Sequence, residues 1–204
     1  RPHGPARWAG RLLHWARRNN RNGSRRNIAF HYDLGNDFYG LWLDRNMHYS
    51  SALFLNPEDR IESLERAQQR KVDALLERLD LREGQALLEI GCGWGGLAEQ
   101  AMERCAIRYD GLTLSVEQAD YARDRLGSGA QIHLTDYRDA QGQYDAIASV
   151  EMVEAVGQHY WPDYLDAVAR LLKPGGHAAI QYILIDDAIF DHYARGADFI
   201  QTYI

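Results

Sequence analysis

The sequence predicts an α/β fold, a doubly wound sheet of parallel strands covered by helices on both faces and preceded by a helical cap. Three observations predict it. Short apolar runs alternate with amphipathic stretches from residue 62 onward, the pattern of repeated βαβ units. One such run, Ala86-Leu-Leu-Glu-Ile90, passes directly into a glycine-rich turn and then a helical stretch, an arrangement that leaves the first helical N–H groups free for a ligand. The 204 residues are 46% hydrophobic and 25% charged, an ordinary globular composition at a length where folding buries roughly 70% of the surface of the unfolded chain.

Taken in order, residues 62–79 place Leu64, Ala67, Val72, Leu75, Leu76 and Leu79 at helical spacing among charges, which predicts one amphipathic helix. Residues 86–90 form the first strand and 97–105 the next helix. Residues 108–112 read as a strand, 117–126 as a helix, 131–134 as a strand and 145–152 as a buried strand. A helix over 160–172 is stopped by Lys173-Pro-Gly-Gly176, and the apolar run 177–185 is the last strand. Residues 27–57 read as an irregular cap before the sheet. Residues 198–204 close on an apolar stretch without a cap or polar tail, so a chain continuing past Ile204 is expected.

Composition also excludes function classes. The only cysteines are Cys92 and Cys105, with no CxxC pair; neither a zinc site nor a disulfide framework is indicated, and a reducing cytoplasm fits. Both read as unreactive. The histidines form no HxxxH or HExxH set, and no metal ligands are expected among them. No run approaches the roughly 18 consecutive apolar residues of a spanning helix. Residues 1–26 hold eight of the 23 basic residues and no acid, leaving 15 bases against 29 acids, net −14, in the remainder. An acidic body argues against nucleic acid as a partner, because phosphate binding needs a broad basic face. Within the arm, Trp8, Leu12 and Trp15 recur at helical spacing between arginines. Such a basic, aromatic helix suits an anionic membrane surface, at roughly 1 kcal/mol per basic residue. The same stripe would serve equally for docking on the domain.

The glycine turn is the most informative motif. Leu87-Leu-Glu89-Ile-Gly91-Cys-Gly93-Trp-Gly95-Gly96 lets the backbone approach a ligand without Cβ clashes. A dinucleotide site would need G-x-G-x-x-G and an acid closing the next strand. Here the spacing differs, and the next strand runs into Gly111-Leu-Thr113-Leu114-Ser115 with Asp110 inside it. The turn instead resembles that of class I S-adenosylmethionine-dependent methyltransferases. Further motifs narrow the resemblance: HYDLGNDFYGLWLDRNMHYSSALF at 31–54, LLEIGCGWGG, GLTLS, SVEMVEAVG and YARGADFIQTYI at the chain's end resemble the cyclopropane-fatty-acid and mycolic-acid cyclopropane synthase family. The resemblance covers residues 27–204, the methyltransferase domain, with 1–26 as a separate arm. It implies a Rossmann-like sheet and a family fold extending past the equivalent of Ile204.

The resemblance implies specific roles. Tyr49 and Ser50 would sit over the methionine part of S-adenosylmethionine, with Glu89, Gly91 and Gly93 at the loop. Thr113, Leu114 and Gln118 would lie near the ribose and adenine, and Asp136 and Tyr137 would frame the adenine. Thr and Gln can bond hydroxyls neutrally, and a Tyr offers a stacking face. In this family an alkene takes the donor's methyl and the resulting carbocation loses a proton. Tyr32 matches the family's ring near the reacting carbon, where an aromatic face stabilises a cation; in a segment this aromatic, a packing role suits it equally. The family's base is a bicarbonate. Glu154 matches the Glu that orients it, and Ile183 the residue whose carbonyl binds it. Ser51 stands where the family has Cys, and Gln181 where it has His.

The expected activity is therefore transfer of a methyl or methylene carbon to the double bond of an unsaturated phospholipid acyl chain. The enzyme would be cytoplasmic, peripheral at the inner membrane face, with a homodimer left open. Ser51 and Gln181 keep two alternatives open: another modified fatty acid, with a branching methyl or methylene, or methylation of a small amine. A donor-binding module without catalysis is a third.

Overall fold

The computed structural model describes residues 34–56 and 61–193. The basic arm, Tyr32 and residues 194–204 of the chain's last motif lie outside the described residues. Five strands, β1 (Ala86–Ile90), β2 (Arg108–Thr113), β3 (Ala130–Leu134), β4 (Tyr144–Val150) and β5 (Leu172–Gln181), form one sheet in the order β3-β2-β1-β4-β5. Every neighbouring pair is parallel. The helices are α1 (Asn36–Gly40), α2 (Leu64–Leu79), α3 (Gly96–Arg104), α4 (Val116–Leu126), α5 (Val153–Val156), α6 (Trp161–Leu171) and α7 (Asp187–Tyr193).

Strand periodicity sorts the core into two layers. Leu87 of β1, with Ala146 and Ala148 of β4, packs on Val72, Leu75, Leu76 and Leu79 of α2 and on Leu97, Ala98, Ala119 and Ala122 of α3 and α4. Leu88 and Ile90, with Ile147, turn to the other face and pack on Tyr164, Val168 and Leu171 of α6. Because β1 is buried on both faces, it reads as a continuous apolar run rather than an alternation. Helix α2 is capped at its start by Ser63, whose side chain accepts the Arg66 N–H, and at its end by Asp80 in a left-handed conformation.

The chain moves outward from β1 through β2 to β3, then returns to place β4 on the other side of β1. That reversal opens a crevice at the carboxyl ends of β1 and β4, where ligands of such sheets bind. Strand β4 ends at Val150 rather than running to residue 152, since Glu151 adopts φ 52° and breaks the extended path. Strand β5 starts at Leu172 and includes the Lys-Pro-Gly-Gly segment that was expected only to stop a helix. Pairing jumps there from Tyr144↔Leu172 to Ala146↔His177, with Gly175 at φ 81° taking up the irregularity. The strand stops at Gln181, the partner of Val150, because past that point β4 offers no further edge, and Tyr182, Ile183 and Leu184 are exposed. The expected irregular cap contains α1, after which Asp44 accepts from the backbone N–H groups of Asn46 and His48 and bonds the His48 ring.

Candidate active site

The glycine turn is built by backbone geometry. Gly91, Gly93 and Gly95 all have positive φ, at 82°, 52° and 82°, which L side chains adopt at a cost. The N–H groups of Gly91 and Cys92 both donate to Leu112 O, at 3.0 and 2.9 Å, so the end of β2 holds the turn in place. A Cβ at Gly91 would also run into the Met152 thioether. The turn is thus fixed from β2 and β4 together and presents bare backbone to the crevice.

Over the turn lies a cavity of about 620 Å³. Its lining includes Glu89, Gly91, Gly93, Thr113, Leu114, Gln118, Asp136 and Tyr137 from the strand ends, and Tyr49, Ser50, Ser51, Glu154 and Ile183 from the cap and from beyond β4 and β5. Apolar side chains, Trp42, Met47, Phe54, Leu64 and Val72, complete it. Gln181 does not line the cavity but bonds residues that do.

The cap is positioned by α2. Gln68 Nε2 donates to Ser50 O at 2.8 Å and Lys71 Nζ to Ser50 Oγ at 2.7 Å. Tyr39, Met47 and Trp94 form a small core beneath the cap, and the Trp94 indole N–H donates to Asn36 Oδ1 at 2.6 Å. Lys71, only 5% exposed, was not singled out in the sequence; one charge in an amphipathic helix carries no sign of facing a cavity. Burial pulls its ammonium down to about 8, against the opposing pull of Glu151, Asp44 and Glu89. Glu89 is 3% exposed, and burial pushes its carboxyl up to about 8 although the Tyr109 hydroxyl donates to it at 2.6 Å. Removing a charge from water favours the neutral form of both groups.

Several expected donor-contact residues are already engaged. Thr113 Oγ1 donates to Gln118 Oε1 at 2.8 Å and accepts the Ser115 N–H at 3.1 Å. Asp136 chelates Arg138, at 2.8 Å to Nε and 2.6 Å to Nη2. The Tyr137 ring meets Tyr164 edge-on at 5.4 Å, with Arg138 over it at 5.3 Å. These contacts fix the shape of the crevice rim.

The two carboxylates beyond β4 differ. Glu154 accepts the Ile183 N–H through Oε1, while its buried Oε2 has no partner among the described residues. Glu151 Oε1 accepts the Ser51 N–H at 2.9 Å, the Ser51 hydroxyl, and Gln181 Nε2 at 3.0 Å. The donors expected to hold a bicarbonate therefore hold a side chain, and they do not fit an added anion. Glu151 lies inside the quoted SVEMVEAVG motif, yet nothing in the sequence placed it opposite Ser51, 100 residues away. Among the described residues, no group of His, Cys, Asp and Glu is arranged to hold a metal ion, and no helix is long and apolar enough to cross a membrane.

The strand order, the left-handed glycine turn and the crevice above β1 and β4 define a class I S-adenosylmethionine-dependent methyltransferase fold. The family model described as mycolic acid cyclopropane synthetase matches residues 19–204. The chain belongs to that family. It is 44% identical to tuberculostearic acid methyltransferase UfaA1 of Mycobacterium tuberculosis, over 95% of this chain and 50% of that one. It is 43% identical to the cyclopropane-fatty-acyl-phospholipid synthase of Escherichia coli K12, over 72% of this chain and 37% of that one. The chain thus spans about half the length, or less, of these curated relatives. Among solved structures, the cyclopropane synthase MmaA2 of Mycobacterium tuberculosis superposes with a TM-score of 0.75 at 30% identity, covering 83% of this chain and 61% of that one. Mycolic acid cyclopropane synthase CmaA1, complexed with SAH and CTAB, gives 0.68 at 32% identity, covering 73% and 53%.

Proposed function

We propose that this protein transfers a methyl or methylene carbon from S-adenosylmethionine to the double bond of an unsaturated phospholipid acyl chain. The observation that carries the reading is the cavity itself, in which the bare glycine turn faces a wall of Trp42, Met47, Phe54, Leu64 and Val72. The residues fit the donor. Gly91 and Gly93 offer positive-φ backbone to its methionine end, Tyr49 and Ser50 close over it, and the Thr113–Gln118 pair and the Asp136–Tyr137 rim receive the ribose and adenine. Bound there, the donor supplies an electrophilic methyl: the alkene π pair forms the new C–C bond and the sulfur keeps the S–C pair. The chain's own residues orient the reactants, exclude water behind the aromatic cap and receive the proton that the product must lose. Tyr32, matched by resemblance, is the proposed aromatic face for the cationic chain.

Relatives named for fatty-acid, phospholipid and sphingolipid substrates support a lipid acceptor, and those named as fatty acid methyltransferases support another modified fatty acid, with a branching methyl or methylene, as the second reading. The basic arm is proposed to seat the enzyme on anionic lipid at the cytoplasmic membrane face. The test supplies anionic vesicles of monounsaturated phospholipid and a donor with a fully deuterated methyl, then analyses the acyl chains by mass. Labelled chains lacking one deuterium are expected, with chromatography separating ring from methylene. Donor binding with unlabelled lipid, and methylation of a soluble amine instead, would overturn the reading.

A further inference from the structure

Glu151 is held in a conformation that its residue type disfavours. Its φ of 52° lies in the left-handed region, where the Cβ of a non-glycine residue crowds the backbone. A glycine would sit there without strain. Gln181 holds the residue at both ends: its carbonyl accepts the Glu151 N–H at 2.8 Å, and its amide Nε2 donates to the Glu151 carboxylate at 3.0 Å. Ser51 adds two donors to the same carboxylate oxygen, Oε1. Oε2 accepts no hydrogen bond among the described residues, and the side chain is part of the cavity wall. Backbone strain retained to aim a carboxylate into a reaction cavity points to a chemical role rather than a packing one.

We infer that Glu151 is the general base of this site, a carboxylate carried by the chain in the place where a dissociable bicarbonate would otherwise be bound. The inference rests on the lipid methyltransferase reading. After methyl transfer, a C–H bond of the added carbon breaks. Its electron pair either closes a ring onto the cationic carbon or, once a 1,2-hydride shift has moved the cation to the carbon that bears the methyl, forms a double bond to that carbon, and the proton passes to Glu151, which becomes a neutral carboxylic acid and releases the proton to water before the next cycle. Ser51 and Gln181 are positioning residues. A serine hydroxyl and a neutral amide both donate to a carboxylate, which accounts for these two residue types opposite Glu151.

The test uses the full chain in CO2-depleted buffer with three proteins: wild type, Glu151→Gln and Glu151→Gly. The glycine variant suits the positive φ and frees the three donors. Two readouts are needed, labelled acyl product on monounsaturated vesicles and line broadening of 13C-bicarbonate, with S-adenosylhomocysteine affinity as the control for folding. The inference expects wild-type turnover that is unchanged by added bicarbonate, and a fall of roughly 100-fold or more in Glu151→Gln, the range for losing a general base, with donor affinity kept within about threefold. It expects Glu151→Gly to regain turnover with bicarbonate and to broaden its 13C signal, which wild type leaves sharp. Wild-type turnover that rises with bicarbonate, broadening by wild type, or an active Glu151→Gln would each overturn it. If wild type labels no lipid, the substrate reading fails, while the bicarbonate signal still decides whether Glu151 fills the anion site.

Discussion

Glu89→Gln isolates the energetic consequence of the buried carboxyl behind the glycine turn. Burial raises the Glu89 carboxyl from 4.5 to about 8. Between those values the folded chain keeps a proton that the unfolded chain has released, so the unfolded state binds fewer protons and stability falls as pH rises, by about 1.4 kcal/mol per pH unit. From about pH 5.5 to about pH 7.5 the loss comes to roughly 2.5 kcal/mol, allowing for partial ionisation at the upper end. The glutamine variant has no proton to release and still accepts the Tyr109 hydroxyl bond now made at 2.6 Å, so it lacks this slope. Lys71, lowered from 10.5 to about 8, acts above this range and with the opposite sign. It binds fewer protons folded than unfolded there, so stability is regained as pH rises from about 8 toward 10.5. Urea denaturation of both proteins without ligand, at the two lower pH values, checks the reasoning. The variant should gain about 2.5 kcal/mol on wild type across the interval. Parallel pH dependences, within about 0.5 kcal/mol, would show that Glu89 is ionised in the folded protein and refute the argument.

Gly91→Ala should cost roughly 1–2 kcal/mol in backbone strain and weaken S-adenosylhomocysteine binding at least tenfold by calorimetry, since the new Cβ meets Met152; unaltered affinity would remove Gly91 from the donor site. Trp94→Ala should destabilise by roughly 3–5 kcal/mol, because the ring packs 5.1 Å from Tyr39 and its N–H is bonded to Asn36. Trp94→Phe, which keeps part of the ring packing but loses the hydrogen bond and some buried volume, should lose about 2 kcal/mol, so its denaturation curve should fall between those of wild type and Trp94→Ala. Burial, with Glu89 adding to it, holds the Cys92 thiol well above its usual range. A thiol reagent at neutral pH should therefore label half-buried Cys105 first and Cys92 only in denaturant; rapid native labelling of Cys92 would contradict its burial.

Most of the sheet was legible because local pattern and tertiary role agree. The run 86–90 is apolar on both faces and is the central strand; Leu64 to Leu79 carries a helical stripe that becomes the packed face of α2. The misread carboxyl ends of β4 and β5 share one cause. Residues 182–185 are apolar enough to extend a strand, and 151–152 continue the run of β4 directly, but β4 and β5 release one another where Glu151 turns left-handed, an event without a composition signal. The glycine turn was legible for the opposite reason, since a backbone that must bend tightly admits few residue types other than glycine.

By itself, then, the sequence determined the layer architecture, the glycine turn and the set of segments that converge at the strand ends, because periodicity and backbone sterics are local properties. Only the tertiary structure decided which partners the charged groups meet. Lys71 faces Ser50 and Glu151 meets Ser51 and Gln181 across separations of 21, 100 and 30 residues. A carboxylate in a strand-end motif reads the same whether it faces water or three donors. Its chemistry is set by partners that the fold alone delivers.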